Sequence, residues 1–408
     1  MRIGVDATSW GNRRGFGRFA RNAVGRLIAL DGESEYVLVT DAADQTPLPN
    51  GVRVRSVRLS RPPGEAACAD DARSPVDLAR LSAAAARGRF DAFLFPSVYT
   101  YFPVPGCSEV VGIHDAIADQ LPHLTLPSRR ARTFWKAKER TAIRRAARVF
   151  TVSEASRTVL VERFGLSSDG IAIVPEAPDP VFTPRGASAI ERELAPLGLE
   201  AGRYFLFAGG ISPHKNVLAL VDAYARLREV RESGAGGERG AAGGKSASWG
   251  SSAADVPPLV LVGDLKDDPF FSIARDLRAR IVGLELEAHV RLPGFVSDEA
   301  LACLYSAATA VVLPSLIEGF GLPAVEAAAC GAPVLLSDLP SHRASLGGAA
   351  LYFDPEDVQA IAAAMAWALE EPGRTLALAQ GAREAVAGLT WDASARALRQ
   401  VVVEAAGA

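Results

Sequence analysis

Short apolar runs alternate with helical patterns along the whole chain, and this alternation limits the fold more than any other feature. Thirteen such runs are predicted strands, among them Ile3 to Asp6, Leu259 to Val262 and Ala310 to Leu313. Short strands separated by helices predict parallel sheets built from βαβ units. A chain of 408 residues is longer than a domain with a single hydrophobic core usually is. The sequence therefore predicts an α/β protein with two doubly wound, Rossmann-like domains.

A proline cluster marks the predicted boundary between these domains. Pro175, Pro178, Pro180 and Pro184 interrupt both helix and sheet continuity. We therefore expect one domain over residues 1–178, a second over 179–385 and a final helical segment over 386–408. Residues 233–256 contain 18 Gly, Ala or Ser among 24 residues, a composition that predicts a disordered insertion.

Composition excludes several classes of protein. The formal net charge of −3 argues against a nucleic-acid partner, since nucleic-acid-binding domains carry a basic excess. The four cysteines form no C-x-x-C pair and predict neither a zinc site nor a disulfide framework. The N-terminus reads as a strand, and no apolar run approaches the ~18 residues of a membrane span. A cytoplasmic protein is the resulting expectation.

The segment from Glu318 to Glu326, with the sequence E-G-F-G-L-P-A-V-E, predicts an anion site at the start of a helix. Pro323 suits the first helical position and Gly331 the residue just past the last turn. Free N–H groups at such a helix start attract phosphate. Two carboxylates beside a phosphate would repel it unless each contacts a neutral part of the ligand, such as sugar hydroxyls. The segment therefore indicates a nucleotide sugar, against the alternative of an ordinary helix with exposed glutamates.

The longer run E-G-F-G-L-P-x-x-E-A-x-A-C-G-x-P-V resembles the signature of glycosyltransferase family 4, the retaining GT-B enzymes. The resemblance implies two Rossmann-like domains that face a cleft, the first on the acceptor side and the second binding the nucleotide sugar. It also implies that the C-terminal helix crosses back onto the first domain. It assigns Glu318 to donor hydroxyls, Glu326 to the ribose, and the backbone of Gly319, Phe320, Gly321 and Leu322 to the donor phosphates.

A glycine turn follows the first predicted strand, with Gly15 and Gly17 in N-R-R-G-F-G-R-F. A dinucleotide-binding fold is the obvious competitor, but Ala20 stands where its third glycine would be. The segment resembles the G-x-G-R loop of mannosyltransferase-like members of the family, whose backbone N–H groups face the donor phosphate or the acceptor. A simple tight turn is the alternative.

Two cleft residues come from the ends of other predicted strands. His114 ends the run V-V-G-I-H, and the carboxyl end of a strand in an α/β domain faces the ligand crevice. The resemblance implies that His114 contacts the donor sugar near the reacting carbon, and core packing is the alternative. Lys215, in A-G-G-I-S-P-H-K-N, is placed to neutralise the leaving diphosphate. A solvated residue at a helix start is the alternative for Lys215.

Phosphate recognition departs from the family pattern in one respect. Many members carry an arginine shortly before the lysine, where this chain has Gly210 or Ser212. Charge neutralisation is then left to His214, to Arg18 or to backbone amides.

The loop from Gly294 to Glu299 resembles the family's nucleobase-reading loop, with Val296 as the expected contact. A plain strand-to-helix connection capped by Ser297 or Asp298 explains the same residues.

Residues 127–148 carry a basic run in which Glu139 is the single acid. An amphipathic helix of this kind could attract an anionic membrane surface or a lipid diphosphate, with Phe134 and Trp135 as anchors. A solvated helix face is the plainer interpretation, and it is the one favoured by sequence alone. The basic side chains are Arg129, Arg130, Arg132, Lys136, Lys138, Arg140, Arg144, Arg145 and Arg148.

The resulting hypothesis is transfer of a sugar from a nucleoside diphosphate sugar, GDP-mannose or similar, to a hydroxyl of a saccharide or lipid-linked acceptor in glycan, polysaccharide or glycolipid synthesis. His114, Glu318 and Lys215 are the candidate catalytic residues, and the departing phosphate is the expected base. No D-x-D occurs, so no metal or other cofactor is expected. A nucleotide-sugar epimerase, another GT-B enzyme such as a phosphorylase and a silent binding subunit are the alternatives. The sequence indicates neither the donor sugar, the linkage nor the oligomeric state.

Overall fold

The computed structural model describes residues 1–12, 15–60, 74–126, 128–234, 256–265 and 272–407. The predicted insertion at 233–256 lies almost entirely outside these ranges, so its disorder stays a prediction. Its first two residues, Ser233 and Gly234, instead end the helix Val217–Gly234.

The first sheet has seven parallel strands in the order β3-β2-β1-β4-β5-β6-β7. Its strands are β1 Arg2–Asp6, β2 Glu35–Asp41, β3 Arg53–Val57, β4 Ala92–Phe95, β5 Ser108–Gly112, β6 Ala146–Thr151 and β7 Ile171–Ile173.

The second sheet has six parallel strands in the order β10-β9-β8-β11-β12-β13. Its strands are β8 Phe205–Ala208, β9 Leu259–Val262, β10 Val290–Gly294, β11 Ala310–Leu313, β12 Val334–Ser337 and β13 Leu351–Phe353. All thirteen predicted strands are present, and the α/β prediction with two doubly wound sheets is confirmed. The domain boundaries stay predictions, with the last strand of the first sheet and the first strand of the second on either side of the proline cluster.

Helices connect these strands. The longer ones are Pro75–Ala86, Arg129–Arg145, Glu154–Phe164, Ala187–Leu194, Val217–Gly234, Ala274–Gly283, Asp298–Ala307, Leu322–Ala329, Val358–Glu370, Pro372–Val386 and Trp391–Ala406. Shorter ones are Gly15–Phe19, Gly25–Leu30, Ile117–Gln120, Pro122–Thr125 and Pro340–Leu346, with a π-helical segment at Ala20–Val24.

Burial of both faces of the strands explains why they appear in the sequence as continuous apolar runs. Every residue of β4, β8, β9, β11 and β12 is buried. Strands of parallel sheets are covered by helices on both faces, so they need continuous apolar runs instead of alternation. The run that ends at His114 is shorter than predicted, because β5 stops at Gly112 and Asp115 Oδ1 accepts from the Ile117 N–H to form the next turn.

The C-terminal helix Trp391–Ala406 crosses back onto the first sheet, as predicted. Thr390 caps it by accepting from the Ala393 N–H, and the helix packs against β4, β5 and β6. Ser394 Oγ donates to the Pro175 carbonyl at 2.5 Å. The end of the chain therefore fixes the segment that leaves β7.

Of the two membrane anchors predicted on the basic helix Arg129–Arg145, one is buried in the protein core. Trp135 is buried and donates through Nε1 to Asp119 Oδ2 at 2.9 Å, so it is a core residue, whereas Phe134 is 43% exposed. Glu139 is also buried. The exposed face of this helix therefore carries basic side chains and no acid.

Candidate active site

A cleft of about 620 Å³ opens where the two sheets face each other. Loops after β1 and β4 line one wall, and loops after β8 and β11 line the other. The strand order reverses between these strands in each sheet, and ligands of open α/β sheets bind at such switch points. Both halves of the fold therefore direct their binding loops into one space.

The helix Leu322–Ala329 begins at this cleft. Gly321 precedes it with a φ of +89°, and no side chain caps its first turn. The helix starts one residue earlier than the predicted Pro323 and ends before Gly331, whose φ is +79°. Uncapped N–H groups at a helix start that line a cleft are suited to an anion.

Lys215 and Glu318 form an ion pair at the floor of the cleft. Lys215 Nζ lies 2.6 Å from Glu318 Oε1, which also accepts from Ser315 Oγ at 2.7 Å. Burial by itself raises the pKa of Glu318, but the Lys215 ammonium and these two hydrogen bonds outweigh it and lower the pKa to about 2. Glu318 is therefore a fixed carboxylate at neutral pH, and it cannot donate a proton.

The loop before the helix is bound to the first domain. The carbonyl of Gly319 accepts from the hydroxyls of Ser153, at 2.6 Å, and Ser156, at 3.0 Å. A side chain at Gly319 would come within 2.8 Å of the His114 carbonyl. Glycine is needed here because the two walls of the cleft are in contact.

Arg18 joins the walls a second time. Its Nη1 donates to Glu326 Oε1, and its Nη2 donates to Asp298 Oδ1 at 2.7 Å. The guanidinium also lies 5.3 Å from the centre of the Phe182 ring. Burial raises the pKa of Glu326, and Arg18 opposes that shift. Glu326 was predicted to bind ribose, and in this structure one of its oxygens holds Arg18.

His114 has a defined protonation state. Its Nε2 lies 2.8 Å from the Pro96 carbonyl, which can only accept, so Nε2 carries the proton. Burial lowers the pKa of His114 to about 4, so the ring is neutral. The Nδ1 lone pair therefore points away from Pro96, toward Glu176, whose Oε1 lies 3.8 Å away.

Glu176 is a cleft residue that the sequence interpretation missed. It lies in the proline-rich segment read as a domain boundary, where no motif marks it. Its side chain is 7% exposed and lines the cleft. The one signal in the sequence is that Glu176 stands between two prolines, Pro175 and Pro178, in a segment that continues neither helix nor strand.

The structure brings nearly all the predicted site residues to this cleft, although their roles stay predictions. Gly17 does not line it: a Cβ there would come within 2.1 Å of the Asn12 carbonyl, so this glycine permits close packing of the helix Gly15–Phe19 against the loop before it. Ser297 caps the helix that follows Val296, as its alternative explanation required. The predicted residues that line the cleft are Gly15, His114, Gly210, His214, Lys215, Val296, Glu318, Gly319, Phe320, Gly321, Leu322 and Glu326.

Two family models match the chain. Residues 13–182 match the model described as Glycosyltransferase Family 4, and residues 253–385 match the model described as Glycosyl transferases group 1. Together the matches span both halves of the cleft. The chain belongs to glycosyltransferase family 4. The resemblance stated from its sequence motifs is thereby confirmed.

Curated relatives of this family 4 chain include mannosyltransferases. It is 32% identical over 242 residues to the O-antigen chain mannosyltransferase B of Escherichia coli, covering 58% of this chain and 55% of that protein. It is 28% identical over 216 residues to the O-antigen chain mannosyltransferase RfbU of Salmonella typhimurium, covering 53% and 49%. The chain thus spans about half the length of these curated relatives.

Solved structures share the complete fold of this family 4 chain. A sucrose-phosphate synthase from Thermosynechococcus elongatus matches with a TM-score of 0.72 and 20% identity over 98% of each chain. Anabaena HepE in complex with UDP and glucose matches with a TM-score of 0.72 and 17% identity over 99% of each chain. At these identities the likeness concerns the fold alone, which is the predicted GT-B arrangement of two Rossmann-like domains.

The described residues contain neither a candidate metal site nor a candidate membrane span. No group of three or more His, Cys, Asp or Glu side chains in these ranges is arranged to hold a metal ion. Within the same ranges, no helix is both long and apolar enough to cross a membrane.

Proposed function

We propose that this family 4 chain transfers a hexosyl group from a nucleoside diphosphate sugar to a hydroxyl acceptor in glycan or polysaccharide synthesis. One observation carries the proposal: the Lys215–Glu318 pair lies beside the uncapped start of the helix Leu322–Ala329 and faces His114 across a cleft between two domains. The names of the mannosyltransferase relatives favour mannose. The HepE complexes with UDP and UDP-glucose favour a nucleotide sugar as the ligand class.

The charges of the cleft suit departure of a diphosphate. The ammonium of Lys215 and the amide dipoles of the helix start would stabilise negative charge as the leaving group forms. Glu318, held ionised by Lys215, would accept hydrogen bonds from donor hydroxyls through its remaining lone pairs.

Proton transfer is then left to the substrate. Retaining glycosidases use one carboxylate as a nucleophile and a second carboxyl group as acid and base. Here Glu318 is bonded to Lys215 and Ser315, and Glu326 to Arg18. In the proposed course, the acceptor attacks on the face of the leaving group, the departing phosphate takes the acceptor's proton, and the anomeric configuration is retained without a bridging metal.

Thermal unfolding with UDP, GDP and ADP tests the ligand class first, because a ligand of the folded state raises its stability in proportion to RT ln(1 + [L]/Kd). One nucleotide should raise the melting temperature at millimolar concentration. Incubation with the matching nucleotide sugars and a saccharide acceptor, followed by product NMR, then identifies donor and anomer. Turnover unchanged by EDTA would support metal independence. An inverted product would overturn the mechanism, and donor epimerised or hydrolysed equally well without acceptor would favour the rival enzyme classes.

We further propose that the basic helix Arg129–Arg145 contacts an anionic membrane surface. This proposal is supported by the exposure of Lys136, Arg140 and Arg144, which form no ion pair with any described residue; a solvated helix face is the alternative. Arg145 differs, since its Nη2 lies 2.8 Å from Glu109 Oε1 and it belongs to the fold. Pro127, at the start of the predicted segment, lies outside the described residues.

A further inference from the structure

Glu176 and His114 form a pair of polar groups in the cleft. The Glu176 carboxyl forms no hydrogen bond with another described residue, and within ion-pair distance it meets only His114 Nδ1 at 3.8 Å. The Pro175 carbonyl, one residue earlier, is held by Ser394 of the C-terminal helix. The carboxyl is therefore buried and lines the cleft, and the backbone one residue earlier is anchored by the C-terminal helix.

The 3.8 Å separation suits one bridging oxygen. A hydroxyl oxygen that lies to one side of the pair, at a normal hydrogen-bond distance of about 2.8 Å from each atom, can bridge it. Because His114 Nδ1 is a hydrogen-bond acceptor, the bridging oxygen must carry a hydrogen that it donates to Nδ1. The same oxygen can then only accept from Glu176, which requires a protonated carboxyl.

The surroundings of Glu176 supply that protonation state. Burial is the main cause that raises its pKa, nearby carboxylates add to the shift, Arg18 opposes it, and the pKa reaches about 8. At neutral pH the group is mostly a neutral acid, which can donate one hydrogen bond. The charged or titratable groups that face it are His114, Asp115, Arg18, Glu318 and Glu326.

The position of the helix start indicates which ligand group lies beside this pair. Gly319, at the phosphate end, is in contact with the backbone of His114. A sugar attached to a phosphate at the helix start would therefore lie within reach of His114 and Glu176, which line the same cleft. We infer that Glu176, together with His114 Nδ1, binds a single hydroxyl of the donor sugar and so determines which sugars are accepted.

Glu176 is thus assigned to sugar specificity, and the assignment rests on the proposed function. A hydroxyl satisfies the pair because it both donates and accepts at one atom. A carboxylate at that sugar position has no hydrogen for Nδ1, and a deoxy position leaves two buried polar groups unpaired. The accepted donors are therefore neutral sugars that carry this hydroxyl.

The test compares a nucleotide sugar with its bare nucleotide, without acceptor. Calorimetry would give Kd for GDP, GDP-mannose, UDP and UDP-glucose, in the wild type, Glu176→Gln and Glu176→Ala, and the pair that the wild type binds more tightly is used. The ratio of the two Kd values measures what the sugar contributes. Glu176→Ala should lower this contribution about tenfold, as loss of one buried hydrogen bond predicts, while the affinity for the bare nucleotide changes by less than about twofold.

The pH profile separates a hydroxyl contact from a purely structural role. In the wild type the sugar contribution should fall as the pH rises from 7 to 9, because ionised Glu176 can no longer donate. In Glu176→Gln it should stay level over this range, because the amide still donates. Titration of Glu326, Asp115, Glu318, Arg18 and His114 is common to both proteins and cancels in the comparison.

The outcomes distinguish the two levels of proposal. A wild type that binds neither nucleotide nor nucleotide sugar would overturn the proposed function and this assignment with it. Normal nucleotide binding, with an equal sugar contribution in wild type and Glu176→Ala, would overturn the assignment of Glu176 alone. If Glu176→Ala does not fold, matching pH profiles of the wild type and Glu176→Gln would overturn it.

Discussion

Arg18, on the first helix after β1, donates to the carboxylate of Glu326, on the helix Leu322–Ala329 of the second sheet's layer. The two side chains are 14% and 4% exposed. They are separated by more than 300 residues in sequence, and they connect the two walls of the cleft. A charged pair with so little solvent contact is sensitive to loss of either partner.

We expect Arg18→Ala to lower the free energy of unfolding by about 3–5 kcal/mol, because it leaves the buried Glu326 without its cation. Urea unfolding at pH 7 measures the change. The matched control is Arg26→Ala. Arg26 also bonds a distant carboxylate, Asp392, but both side chains are more than a third exposed, so its loss should lower the free energy of unfolding far less, because exposed ion pairs contribute little. If both variants lower the free energy of unfolding equally, the buried Arg18–Glu326 pair contributes no more to stability than an exposed ion pair.

The sequence predicted the strands and helix ends well because these are decided by neighbouring residues. The apolar runs of β8 and β11 report burial directly, and Thr390 and Ser297 lie three residues before the N–H groups that they cap. Gly331 adopts the positive φ value that its predicted position just past the last helical turn suggested. Local chemistry is sufficient for each of these features.

The contacts that define the site could not be predicted in the same way. The pairs Arg18–Glu326 and Ser153–Gly319 join segments more than 150 residues apart, and no periodicity relates their positions. Family resemblance placed Lys215 and Glu318 in one cleft, but not in one ion pair. Glu176 was overlooked because its function depends on what the folded chain places opposite it, and its neighbouring prolines indicated only a boundary.

The ion pair of Lys215 and Glu318 gives a prediction on the pH dependence of stability. The pKa of Glu318 is about 2 in the folded protein against an ordinary value of 4.5, so the ionised carboxylate stabilises the fold above about pH 4.5. That contribution, about 3 kcal/mol, is lost as the pH falls from 4.5 toward 2. Glu318→Gln lacks it at every pH. The urea midpoints of wild type and variant should therefore differ most at pH 6–7 and approach each other between pH 5 and pH 3.

Activity of the same variant tests the assigned role. If Glu318 binds donor hydroxyls in the transition state, Glu318→Gln should lower kcat/KM about 100-fold or more while the protein remains folded at pH 7. Glu154→Gln is a suitable control, since Glu154 pairs with Arg157 on an exposed helix surface. Near-normal turnover in Glu318→Gln would remove this carboxylate from the reaction.

Gly321 gives a prediction on backbone geometry. A Cβ at this position would lie 2.7 Å from Cδ2 of His342, and its φ of +89° disfavours any other residue. His342 is 1% exposed and cannot move aside into solvent. Gly321→Ala should therefore cost about 1–3 kcal/mol of stability and weaken nucleotide binding, because the helix start shifts.

Gly348 provides the control for Gly321. It is exposed, has no positive φ, and nothing lies within 4 Å of a Cβ built there. Gly348→Ala should change the unfolding free energy by less than about 0.5 kcal/mol and leave nucleotide affinity unaltered. A Gly321→Ala variant that matched this control in both measurements would show that the helix start tolerates a side chain.

The basic helix Arg129–Arg145 gives a prediction on membrane contact. Reversing Arg140 and Arg144 to Glu should weaken binding to vesicles of phosphatidylcholine with 30% phosphatidylserine by about 30-fold or more, because each basic residue near an anionic surface contributes about 1 kcal/mol. Arg145 is left intact, since its bond to Glu109 supports the fold.

The control reverses Arg275 and Arg278 to Glu. These residues are exposed on the helix Ala274–Gly283 of the other sheet's layer, and their reversal changes the net charge equally. Sedimentation with these vesicles, and with pure phosphatidylcholine at raised salt, separates a specific face from general attraction. If both double variants lose binding to the same extent, or neither does, the exposed basic side chains form only a solvated face.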